Sequence, residues 1–259
     1  MQLHINLIIL AIIQGITEWF PVSSSGHVVI FSKLLNFENN LMFDVALHLG
    51  TLMAVFVYFG GDIVHILEDI LKLKWKSENA KLGYFIFIAT LPAVAVGFLF
   101  RKFISNIFNN LVIVCICFGI SGLILLLGSF VSFKKTKKIG FKESLLIGIS
   151  QAFAILPGIS RSGTTISSGL LLGLDEKKAV RFSFLMSIPV IFGAAILEIE
   201  NKRLTSDLLW ATILSFLVGL ISIHFLLKIV INSKKNLKWF AFYLFILSIL
   251  ILIYLILSS

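Results

Sequence analysis

The sequence predicts an all-α polytopic membrane protein made of two inverted-topology repeats, each a re-entrant (broken) helix hairpin followed by three transmembrane helices. Three observations predict it. Hydrophobic residues make up 58% of the 259 residues and charged residues only 14%, with a mean hydropathy of +1.03, a composition too apolar for a water-soluble domain. Uncharged runs at 82–100 and 111–131 reach the roughly 20 residues that a helix needs to cross about 30 Å of hydrocarbon, and no alternating pattern suggests a barrel. A polar, proline-interrupted segment near residue 20 returns near residue 157, each time followed by three apolar runs.

The first apolar stretch, 3–13, runs into Gln14-Gly-Ile-Thr-Glu18-Trp-Phe-Pro21-Val-Ser23-Ser24-Ser25-Gly26-His27 and resumes over 28–35. Pro21 cannot continue a helix and disfavours helix at Phe20, while Ser23 or Ser24 is a good N-cap for a new one. This spacing predicts two short helices around a polar break. With neither a basic n-region nor a small-residue cleavage site, 1–13 is not expected to be a removable signal peptide. Spans at 43–59, 82–100 and 111–131 follow, separated by a mixed-charge segment over 62–81 and a brief loop at Arg101-Lys102. After the basic loop Lys134-Lys135-Thr-Lys137-Lys138 the pattern restarts. A short apolar helix over 144–156 breaks at Pro157, a second helix resumes near Ser162 and runs to 174, and spans at 180–197, 208–227 and 239–257 complete the chain. Aligning Gln14 with Gln151 puts Ser23 over Ser160, Ser25 over Ser162 and Gly26 over Gly163, with twelve residues from Gln to Gly in both. The chain then reads as one membrane domain, 1–259, with repeat one at about 1–133 and repeat two at about 140–259.

Three spans per half is an odd number, so if each hairpin enters and leaves on one side, the second half is inserted upside down. Loops 61–81, 132–142 and 228–238 hold four, five and four Lys; loops 101–110 and 198–207 hold two Lys or Arg each, the latter beside Glu198, Glu200 and Asp207. The lysine-rich loops fall on one side, as the positive-inside rule requires, and both termini face outward. Membrane topology thus accounts for the net charge of +9 without nucleic acid. Trp19, Trp75, Trp210 and Trp239 lie near breaks or span ends, where interfacial tryptophans belong. Cys115 and Cys117 sit inside one span and read as packing or lipid-facing thiols, with no bearing on redox compartment.

Inverted hairpins would bring two helix N-termini together near the bilayer midplane, capped by Ser23-Ser24-Ser25 and by Ser160-Arg161-Ser162. Their unpaired N–H groups and positive dipole ends favour an anion, and Arg161 adds a planar fork matched to phosphate oxygens. A Ser/Thr-rich break in one membrane helix more often marks a kink than a site. Two breaks at equivalent positions, one with Glu18 and His27 and the other with Arg161, outweigh that reading, because burying each such residue in a membrane costs about 3 kcal/mol or more. Gln14 and Glu18, four apart, share a helix face, whereas His27, nine beyond Glu18, reaches it only if the hairpin folds back. Carboxylate, imidazole and a neighbouring hydroxyl would then compose a nucleophile or acid/base unit. Glu18 beside an anion requires a protonated His27 or a divalent cation, so a Mg2+ or Ca2+ role touching Glu18 is left open; one carboxylate is too few for a protein-built metal site. His4, His65 and His224 read as structural or interfacial. Asp44 and His48, early in a span, read either as lining an access path or as snorkelling residues. Arg181 is the repeat equivalent of Asp44 but on the opposite membrane side, so no direct pair between them is expected.

The motifs Gln14-x-x-x-Glu18 with Pro21-Val-Ser-Ser-Ser-Gly-His27, and Pro157-Gly-Ile-Ser-Arg161-Ser-Gly-Thr-Thr165, resemble those of the bacterial undecaprenyl-diphosphatase family, the bacitracin resistance proteins. The resemblance covers essentially the whole chain, including span order. It implies hydrolysis of undecaprenyl diphosphate to undecaprenyl phosphate, regenerating the lipid carrier for peptidoglycan synthesis in the bacterial plasma membrane, without an organic cofactor. By the same resemblance, Glu18, Ser23, Ser24 and His27 take the functional positions of the first motif, and Ser160, Arg161, Ser162 and Thr165 those of the second. Gln14 stands where many members carry Glu, which weakens any two-carboxylate metal model. The expected catalytic set is Glu18, His27, Ser24 and Arg161. Gln14, Ser23, Ser25, Gly26, Ser160, Ser162, Gly163 and Thr165 are expected to bind the phosphates of a prenyl diphosphate whose chain stays among membrane lipids, at a site opening to the outer face. The nucleophile stays open between His27, Ser24 and water. A lipid-phosphate transporter or flippase, alone or coupled to hydrolysis, is the alternative, since inverted repeats with broken helices are also a transporter architecture. Gly119 and Gly122, three apart on one helix, would suit either a homodimer contact or packing within the fold.

Overall fold

A computed structural model describes residues 2–37, 41–108, 110–131, 137–198 and 206–257. The loop residues Lys134, Lys135, Glu200, Lys202 and Arg203, whose charges enter the topology, lie outside the described residues, as do the side chains of His4 and Glu198. Among the described residues the regular structure is all helical: α1 (Gln2–Thr17), α2 (Ser24–Leu34), α3 (Leu41–Tyr58), α4 (Gly60–Leu71), α5 (Glu78–Leu99), α6 (Arg101–Ile107), α7 (Leu111–Phe130), α8 (Phe141–Phe153), α9 (Arg161–Leu171), α10 (Glu176–Glu198), α11 (Ser206–Asn232) and α12 (Leu237–Leu257), with a short 3-10 turn at Lys234–Asn236. Helices α5, α7, α10, α11 and α12 are long and apolar enough to cross a membrane, and α3 with α4 would make a sixth span, bent by 77°. Large side chains such as Phe87, Val94, Ile116, Leu127, Ile246 and Ile253 are exposed around them. So much bare hydrocarbon is what lipid covers.

Two segments expected as loops are helical. The mixed-charge stretch after 59 opens as α4, because Ile63, Ile66 and Ile70 recur three and four apart and turn inward while His65 and Glu68 face out. Arg101-Lys102 begins α6. Helix α1 ends at Thr17 and α2 starts at Ser24, and α8 ends at Phe153 and α9 starts at Arg161, so the helices stop and restart about the prolines and serines that predict a break.

Each short first helix packs on a span from the other half of the chain: α1 lies along α11, and α8 lies along α5. Small residues permit the approach. A Cβ on Gly15 would come within 2.7 Å of Val218, and one on Gly148 within 2.5 Å of the Ala89 carbonyl oxygen. α7 runs along α12, α3 packs on both α10 and α11, and α9 is held by α7 and α10. The polar breaks are thereby enclosed by apolar spans, with Trp19, Phe118, Phe182 and Phe184 fully buried around them.

Candidate active site

The two helix starts are built alike. Ser23 caps α2, its Oγ accepting from the Gly26 N–H at 3.4 Å and lying 3.3 Å from Ser25 Oγ. Ser160 caps α9, its Oγ accepting from the Gly163 N–H at 3.0 Å and lying 3.4 Å from Ser162 Oγ. Each cap satisfies one of the N–H groups that a first turn leaves without an intrahelical partner.

The starts also cross. A Cβ on Gly26 would meet the Gly158 Cα at 3.1 Å, and one on Gly163 would meet Pro21 Cβ at the same distance. Gly158 and Pro21 take the same place in the two motifs when Gln151 is aligned with Gln14, so each helix start abuts the break that precedes the other. Gly158 has φ of 94°, and a side chain there would strike the Val114 carbonyl oxygen at 2.6 Å, so conformation and space both demand glycine. Ser121 of α7 ties down this break: its Oγ donates to the Gly158 carbonyl at 3.2 Å and accepts from the Ser160 N–H at 2.8 Å.

Glu18, only 7% exposed, is the hub. One carboxylate oxygen takes Arg161 Nη2. The other accepts from Ser24 Oγ at 2.6 Å and from Gln14 Nε2 at 3.0 Å, and faces His48 Nε2 at 3.6 Å. The Arg161 guanidinium lies 5.3 Å over the Trp19 ring, which in turn leans on Phe184. Among the described residues Arg161 Nη1 has no acceptor, Gln14 Oε1 no donor and Trp19 Nε1 no acceptor, and all three atoms are buried. One arm of the arginine fork is therefore available to an anion. His48 Nδ1 lies 2.9 Å from the Asp44 carbonyl oxygen, which can only accept, so Nδ1 carries a hydrogen.

His27 is held elsewhere. Its Nδ1 lies 2.7 Å from the Ser23 carbonyl oxygen and its Nε2 lies 2.7 Å from the Tyr243 hydroxyl, so neither nitrogen is on Glu18. The cause is local: from the first turn of α2 the ring folds back onto the carbonyl four residues earlier, and His48 occupies the place at the carboxylate that the folded-back hairpin suggested for His27. Thr165 is likewise committed. Its hydroxyl contacts the Arg161 and Ser162 carbonyls and lies 2.6 Å from Ser183 Oγ, joining α9 to α10. Ser162 Oγ reaches the Phe20 carbonyl at 3.3 Å.

Gln14, Glu18, Ser24 and Arg161 thus meet directly, and Ser23, Ser25, Gly26, Ser160, Ser162 and Gly163 form the two helix starts around them. His48, Ser121, Ser183 and Tyr243 complete the surroundings without a motif of their own; only His48, four residues after Asp44 in an apolar span, left a signal in the sequence. Arg181 forks onto Asp62 with two contacts of 2.9 Å, joining α10 to α4. Cys115 and Cys117 are buried packing residues. The donor set does not make a protein-built divalent site: both Glu18 oxygens already accept hydrogen bonds, and among the described residues no three His, Cys, Asp or Glu side chains gather.

Comparison with known proteins matches residues 7–250 to the family described as Bacitracin resistance protein BacA. The undecaprenyl-diphosphatase of Methanococcus vannielii is 39% identical over 249 residues, 95% of this chain and 98% of that protein. Those of Thermosipho africanus and Caldicellulosiruptor bescii are each 42% identical, covering 95% and 97% of this chain and 98% and 97% of those proteins.

Proposed function

The chain belongs to the bacitracin resistance protein BacA family, and we propose that it is an integral membrane phosphatase hydrolysing undecaprenyl diphosphate to undecaprenyl phosphate and inorganic phosphate. That reaction recycles the lipid carrier for peptidoglycan synthesis and confers resistance to bacitracin. The observation that carries the reading is the Arg161–Glu18 pair, closed between two serine-capped helix starts with Arg161 Nη1 still free.

The terminal phosphoryl group is held by Arg161 Nη1, by first-turn N–H groups of α2 and α9, and by the hydroxyls of Ser25 and Ser162. Positioning and charge stabilisation supply most of the catalysis in phosphoryl transfer. Ser24 presents its hydroxyl proton to Glu18 at 2.6 Å, so a carboxylate stands ready to take that proton as Ser24 Oγ forms the new P–O bond. The bond to the bridging oxygen breaks, undecaprenyl phosphate leaves, and water then releases the phosphate. His27 is the acid/base group of the second step: its Nδ1 hydrogen is spent on the Ser23 carbonyl, which makes Nε2 the basic nitrogen. Direct attack by His27 Nε2 or by water are the competing routes.

Each half of the chain is one repeat, and the second is inverted. Support comes from exchange symmetry: α1 on α11 is matched by α8 on α5, and Gly26 against Gly158 is matched by Gly163 against Pro21. With the lysine-rich loops inside, both termini face outward and the site opens to the outer leaflet. A Mg2+ or Ca2+ ion would supply charge neutralisation for the diphosphate, with Glu18 the one carboxylate of the site that could face it. The α7 glycines serve packing within the fold, since Gly122 is buried and a Cβ there would lie 2.8 Å from Phe245 of α12, so they offer no homodimer contact. A carrier that only moves lipid phosphate is not favoured, because the relatives are named as diphosphatases.

The test is phosphate release by the purified protein in detergent, where no second membrane side exists. Release from undecaprenyl diphosphate that disappears in Arg161→Ala supports the reading. Unchanged release in that variant removes Arg161 from the site, and no release by the parent leaves the carrier.

A further inference from the structure

We propose that Tyr243, on α12, is a positioning residue for this reaction: its hydroxyl holds His27 in the one tautomer and orientation that make Nε2 the basic nitrogen. The inference rests on the acid/base role given to His27 above. The Ser23 carbonyl oxygen can only accept, so His27 Nδ1, 2.7 Å away, carries the ring hydrogen. Nε2 is then a lone pair, and the Tyr243 hydroxyl at 2.7 Å donates to it. The two rings lie within 9° of parallel with centroids 5.7 Å apart, while Phe118 meets the imidazole edge-on at 5.4 Å. Rotation of the imidazole is therefore opposed by packing on both sides and by a hydrogen bond at each nitrogen. Without the hydroxyl, Nε2 would be an acceptor with no partner in a residue only 3% exposed.

Packing alone does not ask for a tyrosine here. α12 turns Leu237, Ala241, Leu244 and Ile251 to the interior, and Trp239, Phe242 and Ile246 lie exposed. Tyr243 belongs to this exposed flank, 45% exposed, and its polar end reaches inward to the buried histidine. A phenylalanine would cover the same surface. The attacking water that engages Nε2 must replace the hydroxyl, so Tyr243 lets go of His27 in the working step and recaptures it afterwards. One side chain thus separates the basic nitrogen from the flank where lipid lies.

The test uses the full-length protein in detergent with undecaprenyl diphosphate, reading kcat and KM for phosphate release, and 15N-labelled histidine for NMR of the imidazole nitrogens. His27→Asn identifies the His27 signals. Tyr243→Phe is expected to lower kcat about tenfold with KM within about twofold, the split that marks an interaction used after binding. It is also expected to move the Nε2 signal to that of a ring nitrogen without a donor. Tyr254→Phe, on the same exposed flank of α12, is expected to change neither. If Tyr243→Phe keeps the parental kcat or leaves the His27 signals unmoved while His27→Asn abolishes release, the inference is overturned and the role of His27 stands. If His27→Asn releases phosphate like the parent, that role is wrong and the inference falls with it. Should Tyr243→Phe not fold, 3-fluorotyrosine incorporated at Tyr243 keeps the shape and strengthens the donor; the Nε2 signal is then expected to move the opposite way, and an unmoved signal overturns the inference.

Discussion

Arg161, the first residue of α9, pairs with Glu18 across 143 residues of chain, and the pair is buried where the starts of α2 and α9 meet. Neither half of the molecule holds both charges. An isolated arginine or glutamate in this apolar interior would be costly, so each makes the other's burial tolerable. The same contact leaves one arginine nitrogen open and places a carboxylate against the Ser24 hydroxyl.

Arg161 holds Glu18 through Nη2, and in the proposed reaction it holds the incoming phosphate through Nη1. Arg161→Ala is expected to lower kcat/KM for phosphate release by about 10²-fold or more. Arg161→Lys should recover only part, because a single ammonium is a point charge without a fork. Phosphate release in detergent measures both, and a lysine variant as fast as the parent would refute the two-acceptor role.

Removing one partner of the pair leaves the other charged and buried. Glu18→Gln and Arg161→Gln are each expected to cost about 3–5 kcal/mol of stability, and the double variant less than the sum of the two. Unfolding of all four proteins in the same detergent closes the cycle. Additive losses would mean the two side chains do not interact.

Ser24→Ala removes the hydroxyl that lies 2.6 Å from Glu18. With Ser24 as nucleophile, activity falls by about 10³-fold or more, and a rapid acid quench of the parent traps an acid-stable phosphoprotein that the variant lacks. An acid-labile adduct that persists in Ser24→Ala would point to His27 instead. No adduct in either protein would point to water.

Gly158→Ala sets a Cβ 2.6 Å from the Val114 carbonyl oxygen at a φ of 94°. The expected loss is about 1–3 kcal/mol from backbone strain, with more from the clash, and the displaced Ser160 cap takes phosphate release down with it. Ser121→Ala, which only removes two hydrogen bonds to the same break, should cost about 1–3 kcal/mol. Thermal unfolding ranks the two; equal losses would show that the glycine has no special role.

Chelation separates a metal carried by substrate from one held by protein. Because Glu18 is already hydrogen-bonded at both oxygens, EDTA is expected to leave protein stability unchanged even if it slows release, and added Mg2+ or Ca2+ should restore any lost rate in proportion to the metal–diphosphate complex. A drop in unfolding temperature on chelation would indicate a protein-built site.

Helices, breaks and caps follow from short-range rules, which is why they were legible. Pro21 and Pro157 stop helices, Ser23 and Ser160 start them, and runs of about 20 apolar residues span a bilayer in any context. The equal spacing from Gln14 to Gly26 and from Gln151 to Gly163 also marks both halves of the candidate site. α4 is hidden in the sequence because its charges sit on one face of an amphipathic helix and look like a loop when read in line. Partners across the molecule are a different matter. That Glu18 faces His48 and Arg161 while His27 turns to Tyr243, that Thr165 is spent on Ser183, and that Arg161 keeps a free arm all depend on which spans pack together and at what depth. Local sequence dictates the direction in which a side chain leaves its helix. Only the packed bundle decides what it meets there, since one residue of register or a few degrees of crossing angle exchanges one partner for another.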